Sequence, residues 1–338
     1  MTYEWQSPSV MPSKRVFSTP IELDGQLYVL GGCDIKGTPL DNTERYDPVL
    51  NQWTELENMP TKRAGTCALA AGQAIVAVGG ISTSQQPVDV VEIFSCDKES
   101  WKRGESLPEK LLGLAGVVRN GKVIVVGGMG VDTKPKDYLL EYDAVTDKWM
   151  SLPAMPTPRY ATFTFLINDN LYVIGGRQGK MPVKAFEKFN FKENKWTKLT
   201  DIPSSRVFSV YVHHADNIFS LGGLATEPKQ GFSDSVEIYN IDEEKWKIAS
   251  PMPTNRGDFA AGCVGDAIVV AGGLGNDGTP LKKAEVYHIT NDSWTNIPEL
   301  PSSHCSCAYI HFENKLYVIG GLSVGGPTGS VAALSFQQ

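Results

Sequence analysis

The chain has 338 residues, of which 41% are hydrophobic, and a formal net charge of -7 at pH 7. This length exceeds the roughly 250 to 300 residues at which a single ordinary core stops growing, so it predicts several domains or one repeat architecture. The negative charge gives no global attraction to nucleic acid or to an anionic membrane. Because no basic segment followed by an apolar run opens the sequence, and no stretch of 18 apolar residues occurs, we expect a cytoplasmic protein.

A repeat of about 48 residues runs through the whole chain. Gly-Gly doublets begin at Gly31, Gly79, Gly127, Gly175, Gly222, Gly272 and Gly320. Each tryptophan lies 26 residues before the first glycine of a doublet: Trp5, Trp53, Trp101, Trp149, Trp196, Trp246 and Trp294. An aromatic residue lies seven positions before each tryptophan from the second onward: Tyr46, Phe94, Tyr142, Phe189, Tyr239 and Tyr287. Three features at fixed offsets predict seven equivalent units.

Each unit has the pattern of four short strands, named a to d in chain order. Strand b is the apolar run before the doublet, such as Gln26 to Leu30, which is typical of a strand buried on both faces. Strand a precedes it across turns such as Asp24-Gly25, a pair that tolerates positive φ. Strand c carries the aromatic residue and strand d the tryptophan. Proline-rich segments such as Leu152 to Pro156 then lead to the next strand a, so the pattern predicts an all-β protein.

Four-stranded antiparallel units with Gly-Gly after the second strand resemble kelch repeats over essentially the whole chain. Stretches such as Gly175 to Lys180 and Gly127 to Gly130 resemble in particular the bare-propeller proteins of the kelch domain-containing protein 8 group. The resemblance implies a seven-bladed kelch β-propeller that forms a single domain over residues 1–338. The rival WD-repeat propellers would need Trp-Asp dipeptides, which this sequence lacks.

The two ends of the sequence complement each other. The first unit begins at a strand d that contains Trp5, and the last unit stops after a strand c at Ser330 to Phe336, with no tryptophan after it. We therefore expect residues 1–8 and 302–338 to share the last blade. The N-terminal strand would pair with the C-terminal strand c and close the propeller, which removes two exposed sheet edges.

Loop lengths indicate which face binds a partner. In an antiparallel blade the b-c and d-a loops lie on one face, and all variation in length falls in the b-c loops, the longest of which is Leu224 to Asp234. Because binding surfaces are built from loops on rigid scaffolds, this face is the predicted binding surface.

A repeated cation is predicted on the same face, 16 residues before each doublet. The seven positions are Arg15, Arg63, Leu111, Arg159, Arg206, Arg256 and His304. A ring of guanidinium groups at a channel mouth would capture carboxylate or phosphate, which predicts an acidic peptide as ligand. The alternative is that these arginines belong to the general kelch pattern and hydrogen-bond the loops of their own or the adjacent blade.

The kelch resemblance extends the predicted pocket by position. In kelch propellers that act as peptide receptors, the arginine position, its successor and the residues after Gly-Gly line the pocket, which adds Tyr160, Arg177 and Gln178. We expect charge reversal at Arg159 and Arg206 to abolish partner capture while leaving the fold intact.

A repeated glutamate lies two residues before the aromatic residue of strand c. The position holds Glu44, Glu92, Glu187, Glu237 and Glu285, but Leu140 in the third unit and alanine in the last. A charge that recurs in this way is more consistent with capping or pairing between blades than with separate active sites, so we interpret these glutamates as structural.

Two local patterns resemble cofactor or metal sites. Gly273 to Gly278 fits GxGxxG, but a strand follows where a dinucleotide site needs a helix. His304, Cys305, Cys307 and His311 suggest a metal, but strand alternation turns His304 away from the others and no fourth ligand is in view. We predict no metal and no cofactor.

The sequence therefore predicts a non-catalytic interaction module, an adaptor, scaffold or cytoskeleton-associated protein, whose partner is a protein or an acidic peptide. One alternative is a substrate-recognition subunit of a ubiquitin ligase that acts through a separate linker. Another is a small-molecule (sugar) enzyme, but no carboxylate pair or nucleophile-base pair breaks the repeat, so no catalytic residue is predicted. No nucleic acid or membrane partner is expected, and the oligomeric state is open, with a monomer as the default.

Overall fold

The computed structural model describes residues 2–226 and 231–337. Seven four-stranded antiparallel sheets follow one another, which confirms the predicted all-β class and the seven-bladed β-propeller. Within the described residues the one helical element is a 3-10 turn at Ile289–Asn291. No helix in this part of the chain has the length and apolar character that crossing a membrane requires.

The blades are numbered 1 to 7 in chain order, each with strands a, b, c and d. Blade 1 contains Thr19–Leu23, Gln26–Leu30, Thr43–Asp47 and Gln52–Glu55; blade 2 contains Cys67–Ala71, Ala74–Val78, Val91–Ser95 and Ser100–Arg103. Blade 3 contains Leu112–Arg119, Lys122–Met129, Leu139–Asp143 and Lys148–Ser151; blade 4 contains Phe163–Ile167, Asn170–Ile174, Glu187–Asn190 and Lys195–Lys198. Blade 5 contains Val210–His214, Asn217–Leu221, Val236–Asn240 and Lys245–Ala249; blade 6 contains Ala260–Val264, Ala267–Ala271, Ala284–His288 and Ser293–Ile297. Blade 7 contains Ala308–Phe312, Lys315–Ile319, Val331–Gln337 and Thr2–Gln6.

Short strand pairs lie outside the blades: two join a d-a loop to a b-c loop, and two lie within a single b-c loop. They are Arg63–Ala64 with Ile81–Ser82, Arg177–Gln178 with Met181–Pro182, Arg206–Val207 with Leu224–Ala225, and Leu322–Ser323 with Gly326–Pro327.

The chain divides into two compact units. One comprises residues 1–17, 47–53 and 203–338, which include blades 5, 6 and 7, and the other comprises residues 18–46 and 54–202, which include blades 2, 3 and 4 and most of blade 1. The single domain over residues 1–338 stays a prediction.

Blade 7 contains both ends of the described chain. Strand Thr2–Gln6 pairs antiparallel with Val331–Gln337, with Tyr3 opposite Phe336 and Trp5 opposite Leu334. The predicted pairing of the N-terminal strand with the C-terminal strand c is confirmed, and strand c begins at Val331, one residue later than expected.

The core consists mainly of the buried side chains of strand b, which pack between successive blades. The inner strand of blade 3 is fully buried at Val123 and Val125, and these side chains pack with Val76 and Val78 from strand b of blade 2. Strand b lies between strands a and c of its own blade and also packs against the adjacent blade, so its residues after the first position are almost all apolar.

The Gly-Gly doublet is the point where one blade reaches the next. Gly79 and Gly80 have φ of 61° and 108°, and the Gly80 N–H donates to the carbonyl oxygen of Leu111, at the start of blade 3, at 3.0 Å. A Cβ on Gly79 would lie 2.6 Å from that same oxygen. The doublet therefore combines a left-handed backbone with a close approach that only glycine accommodates.

Six of the seven tryptophans hydrogen-bond the d-a loop that precedes their blade. The Trp149 Nε1–H donates to the carbonyl oxygen of Glu105 at 2.8 Å, and the ring packs on Tyr142 with centroids 4.7 Å apart. The same bond is made by Trp5 to Pro298, Trp53 to Ser9, Trp101 to Glu57, Trp196 to Pro153 and Trp294 to Ser250. The invariant offset of the tryptophan from the doublet thus reflects a repeated contact between blades.

Substituting Trp149→Phe should lower the free energy of unfolding by about 0.5 to 1.5 kcal/mol, because the aromatic packing on Tyr142 largely remains while the hydrogen bond to Glu105 is lost. Urea denaturation followed by fluorescence of the remaining tryptophans measures this. Met150→Leu, an exposed substitution at the next position, is the control and should change stability little. Equal stability of Trp149→Phe and the control would contradict the role of the hydrogen bond.

Candidate protein-binding face

In both compact units of the chain, d-a loops contact b-c loops, in agreement with the prediction that these loops lie on one face. Tyr160, before strand a of blade 4, exchanges backbone hydrogen bonds with Arg177, just after the doublet, at 3.2 and 3.0 Å. The equivalent pairs in the other unit are Gly257 with Leu274 and Cys305 with Leu322. This face of the propeller, called the loop face below, consists of the d-a and b-c loops.

Four of the five repeated arginines hydrogen-bond within their own blades. Arg63 is 0% exposed, and its Nη1 donates to the carbonyl oxygens of Gly79 and Val90, each at 2.9 Å. Its Nη2 donates to Glu92 Oε2 at 2.9 Å. The same ion pair joins Arg159 to Glu187 at 2.7 Å, Arg206 to Glu237 at 2.9 Å and Arg256 to Glu285 at 3.0 Å.

A hydroxyl group holds the other side of each glutamate. The Thr61 Oγ1–H donates to Glu92 Oε1 and the Thr157 Oγ1–H donates to Glu187 Oε1, both at 2.6 Å. Ser204 and Thr254 make the same contacts in blades 5 and 6. Burial lowers the pKa of Arg63 to about 10 against the opposing effect of Glu92, so the guanidinium remains charged at neutral pH. The interpretation of these glutamates as structural agrees with this network, although the pairing lies within a blade and not between blades.

Two blades lack the arginine, and both also lack the glutamate. In blade 3, Leu111 and Leu140 occupy the two positions, and both are buried. In blade 7, His304 shares hydrogen bonds through Nδ1 with the Gly320 carbonyl at 2.6 Å and through Nε2 with Ser302 Oγ at 2.8 Å, and alanine replaces the glutamate at Ala332. Burial lowers the pKa of His304, so its ring is neutral at pH 7. The arginine and the glutamate are thus replaced together in the same two blades. This joint replacement was visible in the sequence and indicates that the two positions contact each other.

The geometry of the arginine ring therefore favours the alternative reading, in which these arginines hydrogen-bond groups within the propeller. Arg15, Arg63, Arg159, Arg206, Arg256 and His304 are each at most 5% exposed. Their role in partner binding stays a prediction, without an exposed guanidinium to support it. The expectation that Arg159 and Arg206 can be reversed in charge with the fold intact is revised, because each substitution would bury a glutamate against another carboxylate.

The remaining predicted pocket residues lie together in blade 4. The Arg177 guanidinium lies over the Tyr160 ring, 5.2 Å from its centroid, and the Tyr160 hydroxyl donates to the Gly179 carbonyl at 2.7 Å. The exposed Gln178 donates through Nε2 to the Pro158 carbonyl at 2.7 Å. Tyr160 is thus buried, whereas Arg177 is partly exposed and Gln178 is exposed. Of the longest b-c loop, Leu224 to Asp234, residues 227–230 lie outside the described residues.

A second repeated feature on the loop face was missed from the sequence. The residue two positions after each arginine position has φ between 48° and 68° in all seven blades: Phe17, Gly65, Gly113, Ala161, Phe208, Asp258 and Ser306. Backbone bonds link neighbours, from the Ala161 N–H to the Gly113 carbonyl at 2.8 Å and from the Asp258 N–H to the Phe208 carbonyl at 3.2 Å. Gly65 and Gly113 were the only sequence signal for this left-handed conformation.

Cys305 and Cys307 lie before strand a of blade 7, on either side of Ser306 with its φ of 48°, so the strand alternation expected for the metal-like residues does not apply to them. The His304 side chain is directed into its own blade, and burial raises the pKa of Cys305 to about 11. Within the described residues, no group of three or more His, Cys, Asp or Glu side chains has the arrangement of a metal site.

Comparisons with known proteins agree with the repeat geometry. The KLHDC2/KLHL20/DRC7 Kelch-repeats domain matches residues 65–273 and residues 113–321, and the Kelch motif matches residues 14–60. The solved structure of YjhT has a TM-score of 0.68 at 15% identity, and it covers 86% of this chain and 99% of that chain. That likeness shows the fold alone.

Curated relatives match about half of the chain. Kelch domain-containing protein 8B is 40% identical over 171 residues in Rattus norvegicus and 39% identical over 171 residues in Homo sapiens, in each case 48% of this chain and 48% of the relative. The chain thus spans about half the length of the curated relatives it matches. F-box/kelch-repeat protein At1g80440 from Arabidopsis thaliana is 31% identical over 133 residues, 37% of each chain. The likeness to the kelch domain-containing protein 8 group is confirmed, and, since the first family model matches more than half of the chain, the protein belongs to the kelch-repeat family.

Proposed function

We propose that this kelch propeller is a non-catalytic protein-binding module, an adaptor or scaffold, that holds its partner on the loop face. The observation that carries the proposal is the position of exposed large apolar side chains on the b-c loops. They are Ile35, Val131, Met181, Leu322 and Val324. Exposed apolar side chains on rigidly anchored loops of variable length are typical of protein interaction sites.

The nature of the partner follows from what the loop face presents. The arginines that suggested an acidic peptide are all buried, and four of them form ion pairs, so the proposal commits to a protein surface or segment held by apolar loop tips. Nucleic acid and membrane are not proposed as partners of a chain with a net charge of -7. A cytoplasmic location, a link to the cytoskeleton and a monomeric state belong to the same proposal.

The ubiquitin-ligase alternative has one specific support, the likeness to a protein named F-box/kelch-repeat protein. In that case the loop face would hold the substrate, and a separate linker protein would connect the propeller to the ligase. The same surface carries both functions, so the same substitutions test both.

Replacing three loop tips, Ile35→Ser, Val131→Ser and Met181→Ser, should reduce partner capture from cell extract at least about tenfold, because each substitution removes exposed apolar contact area without disturbing the core. Quantitative mass spectrometry of captured proteins measures the loss. The matched control is Val49→Ser, Leu50→Ser and Val145→Ser, which changes three exposed apolar side chains on the c-d turns.

Both triple variants should melt close to the wild-type temperature. Equal capture by the loop-tip variant and the wild type, or equal loss in the control variant, would refute the loop face as the binding surface. A separate variant, Arg177→Glu with Gln178→Ala, addresses the predicted pocket residues of blade 4 and should also weaken capture of the same proteins.

A further inference from the structure

Four of the left-handed residues on the loop face form a continuous row in one unit. The Asp258 N–H donates to the Phe208 carbonyl at 3.2 Å, the Ser306 hydroxyl donates to the Asp258 carboxylate, and the Phe17 N–H donates to the Ser306 carbonyl at 3.0 Å. The row therefore runs Phe208, Asp258, Ser306, Phe17, and it is called the entrance row below. Its members come from the d-a loops that precede strands a of blades 5, 6, 7 and 1.

The two phenylalanines of the entrance row are unfavourable for folding in two ways. Phe17 and Phe208 have φ of 53° and 58°, a left-handed conformation that a bulky residue rarely adopts. They are also 56% and 52% exposed. Glycine occupies the same position as Gly65 and Gly113 and meets the backbone requirement without strain. Strained, exposed aromatic residues at a repeated position indicate a functional surface.

Asp258 stands between Phe208 and Phe17 in the order of the entrance row, and its carboxylate has no cationic partner among the described residues. In the described part of the chain, Asp258 is bonded through its side chain to Ser306 and forms no ion pair with Lys or Arg. Desolvation by burial raises the pKa of Asp258 against the effect of Ser306. A partly buried charge is ordinarily paired, so this carboxylate has the character of half of an ion pair.

We propose that the entrance row binds a positively charged side chain, lysine or arginine, of a partner protein segment. The Asp258 carboxylate is the counter-ion, and the exposed aromatic rings of the same row provide cation-π contacts. This inference rests on the proposed function and assigns the partner a basic side chain where the sequence suggested an acidic peptide.

The surroundings of the entrance row favour a protein segment over a small free cation. Cys305, which precedes Ser306, is bonded through its backbone to Leu322, and the b-c loop from Leu322 presents the exposed Val324. A segment that places a basic side chain at Asp258 can thus place an apolar neighbour against this loop. A free polyamine would use the carboxylate alone.

The test selects ligands from a displayed library of random heptapeptides with the full chain as bait. We expect lysine or arginine to be enriched at one position of the retained peptides, next to an apolar residue. The most enriched peptide, labelled with fluorescein, is then titrated against the variants. Asp258→Asn, which retains the hydrogen bond from Ser306 and tolerates the left-handed backbone, should bind at least about tenfold more weakly.

Two further sets of variants separate binding from folding. Phe17→Gly and Phe208→Gly should each weaken binding severalfold while leaving the melting temperature unchanged or higher, because glycine relieves the backbone strain. Asp266→Asn, at the exposed a-b turn of blade 6, removes a carboxylate from the opposite end of the strands and should bind within about twofold of the wild type.

Three results would overturn the inference: selection of no peptide or of acidic peptides, unchanged binding by Asp258→Asn, or competition by spermidine as effective as by the peptide. If the loop-tip variant loses partner capture while Asp258→Asn binds normally, the entrance-row inference fails and the proposed function stands. If the loop-tip variant and its control capture equally, the proposed function itself fails.

Discussion

Replacing Arg159 by leucine is expected to lower the free energy of unfolding by about 3 to 5 kcal/mol, because the substitution leaves the fully buried Glu187 carboxylate without its cation. Replacing Glu187 by leucine in the same chain should restore most of that loss. The double variant reproduces the arrangement of blade 3, where Leu111 and Leu140 fill the equivalent positions. A buried ion pair exchanged as a unit for apolar residues of similar volume is often neutral in stability.

Chemical denaturation of the wild type, both single variants and the double variant gives the coupling energy between the two positions. Arg103→Leu, which removes an exposed arginine from strand d of blade 2, is the control and should change stability by less than about 0.5 kcal/mol. Additive losses in the double variant would mean that the two side chains stabilise the blade independently, in contradiction to the pairing.

The same reasoning applies to charge reversal. Arg159→Glu would place a second carboxylate beside Glu187 in a buried site, and Arg206→Glu would do the same beside Glu237. We expect this double variant to be unfolded or strongly destabilised, so a loss of partner capture in it would report on folding and not on recognition. Substitutions on the exposed loop tips and in the entrance row avoid this ambiguity.

The sequence predicted those features of the fold that follow from fixed spacing. The offset from each tryptophan to its doublet is constant because Trp101 and the doublet at Gly127 each contact a neighbouring blade, and such contacts tolerate no insertion. The orientation of the arginines could not be read from spacing, since a residue at the start of strand a can point into the blade or out of it. Leu111 and Leu140 did indicate the orientation of the arginines, because in this one blade the arginine and the glutamate are both replaced by leucine.

The entrance row shows a different limit of sequence reasoning. At this repeated position only the glycines, Gly65 and Gly113, indicate a left-handed backbone from the sequence. Phe17 and Phe208 adopt the same conformation, although their residue type does not predict it. The hydrogen bonds between neighbouring d-a loops impose this conformation, so tertiary structure overrides local preference. The shared left-handed conformation of these positions can be recognised only after the seven blades have been aligned on one another.

Deleting residues 1–8 is expected to lower the melting temperature by roughly 10 °C, because it removes a complete strand and two large aromatic side chains from blade 7. Tyr3 is buried against the core shared by blades 6 and 7, and the Trp5 Nε1–H donates to the Pro298 carbonyl at 2.8 Å. The deletion also leaves strand Val331–Gln337 as an exposed sheet edge.

A synthetic peptide of residues 1–8 supplied in trans should raise the melting temperature of the truncated chain, since the vacant edge accepts a strand by backbone pairing. The same peptide with Tyr3→Ser and Trp5→Ser retains the backbone donors and acceptors but lacks the aromatic side chains, so it should restore little. Differential scanning calorimetry over a range of peptide concentrations measures both effects, because a ligand that binds the folded state raises its stability with concentration. An unchanged melting temperature after deletion would show that the seventh blade does not need its N-terminal strand. Equal rescue by both peptides would assign the stabilisation to backbone pairing and not to the packing of Tyr3 and Trp5.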